Sequence, residues 1–219
     1  MITIKSLLDI NKTIASELFS GKTYPWEVLD DISAFIVKLG TQLSKEEFDH
    51  PSETVWIAKD ATVYPSVSIT GPCIVDHGAE LRHGAFIRGN AIIGKNSVVG
   101  NSVELKNVVL FDHVQVPHYN YVGDSILGYH SHMGAGSITS NVKSDKTPVA
   151  IRNGEETIQT GRKKIGAILG DFVEIGCNSV LNPGTIIGRN STVYPLSSVR
   201  GVIPPKHIYK SKSEIKAKD

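Results

Sequence analysis

No stretch of this 219-residue chain is a membrane-length apolar run, and no secretory h-region stands near its start, so neither a membrane span nor export is expected. Aromatic residues amount to only 7%, which argues against a wide core built around rings and for a narrow interior. The two cysteines, Cys73 and Cys177, lie far apart and form no CxxC pair or disulfide framework, which reads as a reducing cytoplasm. Charge of one sign is also lacking. Lys and Arg number 23 against 22 Asp and Glu, and the resulting net charge of +1 argues against nucleic acid as the main partner, since binding a phosphate backbone needs a basic face.

What the chain does have is spacing. Apolar residues stand six apart without a break at Ile57, Val63, Ile69, Val75, Leu81, Ile87, Ile93, Val99, Leu105 and Phe111. The same phase returns at Leu169, Ile175, Leu181, Ile187, Val193 and Val199, in units such as IGKNSV, IGCNSV and IGRNST. Helices repeat at 3.6 residues and strands at 2, so a period of six means a short strand and a turn per unit, stacked into a solenoid. The residue four places on is small (Ala61, Cys73, Ala79, Ala85, Ala91, Ser97, Ser179, Thr185, Ser191), as a tight corner requires. Small corners and large sides predict a triangular prism, and twenty glycines serve its turns.

Three regions follow. Residues 1–50 do not repeat: Leu7, Leu8, Ile10, Ile14, Leu18 and Phe19 approximate one helical stripe. Pro25 opens a second, with Trp26, Leu29, Ile32, Phe35, Ile36 and Leu39 on its apolar face and Gly40 at its end. The expectation is a helical cap, since a terminal coil exposes unpaired strand edges. Residues 55–204 form the coils, with insertions expected near 116–124, where Phe111 to Leu127 departs from phase by four residues, and near 140–166, where phase is lost. Residues 205–219 read as a solvated, fraying basic tail.

Phase breaks on a rigid scaffold are where sites concentrate. The first break carries His118, with Tyr121 three residues on, and an imidazole titrates where a general base is needed at neutral pH. The second begins near Asn141 and carries Lys143 and Lys146.

The segment VELKNVVLFDHVQVPHYNYVGDSILGYHSHMGAGSITSN, with GRKKIGA after it, combines ELK, HxxYxGD beginning twelve places after that lysine, GAG and a following Asn. On these residues the chain strongly resembles the acetyltransferase domain of the bifunctional N-acetylglucosamine-1-phosphate uridyltransferase/glucosamine-1-phosphate acetyltransferase family. It looks closest to archaeal sugar-1-phosphate nucleotidylyltransferases that also acetylate amino-sugar 1-phosphates. The resemblance spans roughly residues 75 to 203. It implies a mainly β protein, a left-handed parallel β-helix; handedness comes from the family alone, because parallel crossovers are otherwise right-handed. It also implies acetyl-CoA as co-substrate, no metal, and a homotrimer with sites between neighbouring chains.

Residue by residue, the resemblance makes His118 the base that takes a proton from the sugar amine and Asn141 the asparagine at the reacting centre. Arg82, Lys106 and Tyr121 match the residues that hold the sugar phosphate, a role suited to cations, and Lys146 stands one place short of a family lysine. The Ala135 N–H matches an oxyanion donor near the thioester, and Cys177 replaces a serine near the acetyl-CoA sulfur. Arg162, Lys163 and Lys164, or Arg189 and Arg200, are candidates for the CoA phosphates. His132 replaces a family asparagine, and Thr147 stands where the lysine is expected. The family's nucleotidyltransferase domain has no counterpart in these residues, so the expectation is a chain that does not make a nucleotide sugar by that route.

Two other readings are compatible with the sequence. One is a non-catalytic sugar-phosphate or nucleotide-sugar binding scaffold. The other is a hexapeptide-class zinc enzyme resembling carbonic anhydrases, using His113 and His118 with His130 and His132 close by.

Overall fold

A computed structural model describes residues 2–218. The chain is a left-handed parallel β-helix of about nine turns with a small N-terminal helical cap. The six-phase residues line its axis: Val75, Leu81, Ile87, Ile93, Val99 and Leu105 are fully buried, but at the next turn Leu110, not Phe111, pairs with Ile93, and Phe111 is buried against Phe19 of the cap. The small residues are inside as well, with Cys73, Ala79, Ala91, Ser97, Ser179, Thr185 and Ser191 all at 0% exposure. A buried hydroxyl needs a partner, and the coil supplies carbonyls: Ser97 donates to Phe111 O at 2.9 Å and Ser191 to Pro204 O at 2.7 Å.

Each coil turns three corners, and from Gly78 onward most corners are made by a residue in the left-handed region. One corner stacks Ser102, Tyr119, Gly136, Asn178 and Leu196, at φ +53°, +52°, +70°, +54° and +60°. A second stacks Asn96, His113, His130, Phe172 and Asn190, and a third holds Asn107, Asp124, Gly184 and Gly201. Asparagine recurs because its short polar side chain tolerates this conformation better than other non-glycine residues. Bulky corner residues are thrown outward, so that Tyr119 and Leu196 stand 65% and 80% exposed.

The insertion expected at 116–124 is not there. Those residues stay in the coil as the strands Gln115–His118 and Tyr121–Leu127. Phe86 pairs with Glu104, 18 residues on, whereas Ala91 pairs with Val108, 17 on; the turn Lys106–Asn107 is one residue shorter than the turn Arg88–Asn90 above it. The next coil keeps the short form, pairing Glu104 with Tyr121 and Val108 with Ser125. A deletion at a corner slides the apolar positions, and from spacing alone that slide resembles an insertion. The second phase break is a true excursion. The chain leaves the coil after Ser140 and returns at Gly166, and the strands Ala150–Asn153 and Glu156–Gln159 form an antiparallel hairpin on the way.

The first expected helical stripe is not a continuous helix. Ile4–Leu7 is a single α-turn and Ser16–Phe19 a 3-10 turn. The backbone between them is bound to a corner of the prism instead: Asp171 N donates to Leu7 O, Asp9 N to the Asp171 carboxylate and Asp112 N to Lys12 O. The second stripe splits into a 3-10 turn, Pro25–Val28, and an α-helix, Ile32–Gly40. Gly40 is required by packing rather than as a left-handed cap, since a Cβ there would run into the Trp56 ring. The basic tail is ordered: His207–Ser211 adds to the last coil and Glu214–Ala217 folds back on it, with Tyr209 buried. The antiparallel pair Phe48–Ser52 and Val55–Ala58 does the same at the first coil, so both ends have a hairpin where a bare parallel edge would otherwise stand. No helix among the described residues is long and apolar enough to cross a membrane.

Candidate active site

The Tyr119 corner carries three of the expected site residues on successive coils. His118 O accepts from Gly136 N at 3.0 Å, Ala135 O accepts from Asn178 N at 2.8 Å, and Cys177 O accepts from Leu196 N at 2.9 Å. His118, Ala135 and Cys177 are therefore stacked, each about 4.8 Å from the next as neighbouring strands require. The Ala135 N–H has no acceptor among the described residues, although the N–H groups on either side, Gly134 and Gly136, are both bonded. Such a lone amide is what an oxyanion site needs. The His118 ring is exposed and has no hydrogen-bond partner among the described residues.

A residue the sequence did not point to fixes this corner. Asn120, 3% exposed, accepts from His118 N at 3.1 Å and donates to Gly134 O and Ser137 O, both at 2.9 Å. One side chain thus ties the His118 strand end to the Gly134–Ser137 turn. The only signal in the sequence is a polar residue directly after a corner.

A second group sits one corner on. Asp124, 4% exposed, accepts from Asn107 Nδ2 at 2.9 Å and Asn141 Nδ2 at 2.5 Å, and Lys106 Nζ lies 3.4 Å away. Asn141 also donates to Tyr121 Oη at 3.2 Å. Burial, and then the Asp124 charge, raise the Tyr121 pKa, which keeps the phenol protonated and able to donate. Lys106, Tyr121 and Asn141, distant in sequence, are thus brought together around the carboxylate that ends the HxxYxGD motif, to which the sequence assigned no role. A cavity of about 300 Å³ opens beside them, lined by Asn107, Asp124, Arg162, Lys163 and Lys164.

The remaining candidates disperse. Arg82 lies two coils above His118 and pairs with Glu80 at 2.9 Å, away from Lys106. Arg162 grips Asp30 of the cap through two guanidinium nitrogens, and Lys163 belongs to the Asp124 cavity. Arg200 shares another cavity, of about 270 Å³, with Lys143 and Asn182. Lys146 is an exposed corner of the excursion at φ +60°. Arg189 pairs with Asp171 at 2.9 Å and lines a cavity of about 680 Å³ under the cap, remote from Cys177. The four histidines of the zinc reading do not converge on one point among the described residues of the chain. His113 stacks on His130 with ring centroids 4.6 Å apart, His132 pairs with Glu174, and His118 is on a different corner.

The sequence model of the GMPPB C-terminal domain matches residues 69–216, which is more than half of the chain. The chain belongs to the GMPPB C-terminal domain family. Similar curated proteins include "Bifunctional protein GlmU" of Methanococcus maripaludis, 35% identical over 211 residues, covering 87% of this chain and 47% of that protein. Another is the "Bifunctional sugar-1-phosphate nucleotidylyltransferase/acetyltransferase" of Sulfurisphaera tokodaii, 36% identical over 94 residues, 43% of this chain and 23% of that one. Among solved structures, a putative acetyltransferase of Bacillus cereus aligns with TM-score 0.43 and 20% identity over 75% of this chain and 78% of that chain. The chain spans about half the length, or less, of these curated relatives. Within the GMPPB C-terminal domain match lie both corner clusters, including His118, Ala135, Cys177, Lys106, Tyr121, Asp124 and Asn141.

Two predictions arise from this geometry. Cys177 is exposed, whereas burial pushes the Cys73 thiol up to about 12. Iodoacetamide at neutral pH should therefore label one thiol per native chain, at Cys177, and reach Cys73 only after denaturation; intact mass and peptide mapping check this. Asp30→Ala removes the acceptor that holds Arg162 and the end of the excursion to the cap. Limited proteolysis should then cut within 140–166 several times faster, with little change in melting temperature because Asp30 is 80% exposed.

Proposed function

We propose that the chain transfers the acetyl group of acetyl-CoA to the amine of an amino-sugar 1-phosphate. The observation that carries this reading is the unpartnered Ala135 N–H one coil below His118 and one above Cys177. The named activities of the archaeal GlmU and sugar-1-phosphate relatives support it.

In this reading a His118 ring nitrogen accepts a proton from the acceptor amine as that amine attacks the thioester carbonyl. The carbonyl oxygen becomes an oxyanion and receives the Ala135 N–H. The C–S bond then breaks, and the CoA thiolate leaves beside Cys177 and takes up the proton held by His118. A thioester is already activated, so a placed base and a backbone donor lower the barrier by proximity and electrostatics. Lys106 and Tyr121 hold the phosphate of the acceptor, with Asn141 beside the amine. The basic groups Lys163, Lys164 and Arg200 serve the phosphates of the two substrates.

A trimer completes the site. His118 lies beside the Tyr119 corner and the Asn141 cluster at the next one, and Arg82 is paired with Glu80, so a neighbouring chain supplies the missing half at the Tyr119 corner, where Tyr119 and Leu196 are exposed. The working unit is the coil of residues 55–204, capped by residues 1–50 and closed by the C-terminal hairpin, acting in the cytoplasm.

The test is a panel of amino-sugar 1-phosphates with acetyl-CoA, followed by free-thiol release. Release that needs the sugar supports the reading, as does protection of Cys177 from iodoacetamide by acetyl-CoA. Tight binding of both ligands without release favours the non-catalytic scaffold.

A further inference from the structure

We propose that Asp124 is a positioning residue that sets the direction of every hydrogen bond around Asn141, and so makes this corner selective for an acceptor carrying an N–H donor close to an anionic group. This rests on the acetyltransferase reading for the identity of the ligand, though not for its polarity.

A carboxylate only accepts. With its oxygens facing Asn107 Nδ2 and Asn141 Nδ2, Asp124 allows a single orientation of the Asn141 amide, in which the NH2 is turned inward. That NH2 has two protons; one goes to Asp124 and the other to Tyr121 Oη. Two consequences follow for the open side. Asn141 Oδ1 has no donor among the described residues and is presented as an acceptor. Tyr121 Oη, having accepted from Asn141, has its own proton free to give, and Lys106 Nζ adds a cation only partly engaged by Asp124 at 3.4 Å. The corner therefore offers one acceptor flanked by two donors. A ligand complementary to it has an N–H beside a phosphate, as in an amino-sugar phosphate. With a neutral residue at 124 the amide is free to turn over, and the acceptor is lost.

The neighbours are consistent with fixed polarity. Asp124 is at a left-handed corner, φ +47°, on a coil one residue short, and Thr139 donates to Gly123 O while accepting from Gly123 N at 2.9 Å. The Thr139 hydroxyl on the neighbouring strand holds the corner's backbone, so the Asp124 side chain is available for orienting Asn141.

The experiment measures binding of glucosamine 1-phosphate and 2-deoxyglucose 1-phosphate by calorimetry, with thiol release recorded in parallel. Wild type should prefer the amine by about tenfold or more, because an acceptor that the bound ligand covers but leaves unpaired is costly. Asp124→Asn should bring that preference close to one, while the 2-deoxy ligand binds about as before. The double variant Asp124→Asn/Asn141→Asp restores a donor–acceptor pair with the roles exchanged and returns an acceptor to the open side, so the preference should recover. If Asp124→Asn weakens both ligands equally, or the double variant recovers nothing, Asp124 only supports the fold and the inference is overturned. If Asp124→Asn does not fold, Asn141→Ala alone must lose the same preference. Amine preference without thiol release would sink the acetyltransferase reading and leave this inference standing; thiol release with a preference indifferent to residue 124 would do the reverse.

Discussion

His118→Ala lowers the rate of acetyl transfer by about 10²–10⁴-fold, the span that a placed general base contributes, while the protein stays folded. The second half of this expectation comes from the structure. The His118 ring is exposed and bonds to nothing among the described residues, and its two structural contacts, N–H to Asn120 Oδ1 and C=O from Gly136 N, belong to the backbone and survive in alanine. Activity and melting temperature should therefore separate cleanly, with kcat reduced and the unfolding midpoint within about 2 °C of wild type, as expected for an exposed substitution. A variant that transfers acetyl as fast as wild type would remove His118 from the mechanism. Loss of activity accompanied by loss of folding would mean the ring has a structural task that the geometry does not show.

Gly100→Ala has the opposite signature. A Cβ at Gly100 would overlap the carbonyl oxygen, carbonyl carbon and Cα of Pro117 in the coil beneath. These are backbone atoms, so no rotamer change relieves the clash, and the strands Val98–Asn101 and Gln115–His118 cannot keep their pairing of Val99 with Val116. The cost should be about 4 kcal/mol or more, which for a chain of this size lowers the melting temperature by about 10 °C or more. Because Pro117 carries His118, any folded fraction should also lose activity. Gly154→Ala is the control for the clash: unlike Gly100, Gly154 has positive φ, at +63°, yet nothing lies within 4 Å of its Cβ, and the substitution should cost only about 1 kcal/mol. Equal melting temperatures for the two variants would contradict the coil packing described above.

The solenoid was legible in the sequence because its physics is periodic. An axis lined by Leu81, Ile87 and Ile93 must repeat at the length of one strand and one corner, and the small residue four places on must repeat with it. Events that change the period without changing residue type were not legible. The missing corner residue beside Lys106–Asn107 looked like extra chain at 116–124, since spacing reports a phase shift and not its sign. Residues 7–19 have helical spacing, yet their backbone is committed to Asp112 and Asp171, a hundred or more residues away, and tertiary hydrogen bonds decided against local propensity.

The site was legible to a different extent. Motif resemblance brought out His118, Ala135, Tyr121 and Asn141, and the coil places the first two on one corner and the last two around one carboxylate. Asn120 was missed because a buried polar residue that orients others carries no spacing signal of its own, and Asp124 stood in the HxxYxGD motif without a role assigned to it. Arg162 was read as a phosphate ligand because it begins a run of three basic residues, but the nearest carboxylate, Asp30, lies in the cap 132 residues earlier.

The most direct measurement is isolation of the product after incubating the protein with acetyl-CoA labelled in its acetyl group and glucosamine 1-phosphate. The account predicts label on the sugar nitrogen, formed in an amount equal to the CoA released and absent with His118→Ala. Label that remains in acetyl-CoA, or passes only to water, while both substrates bind would contradict it.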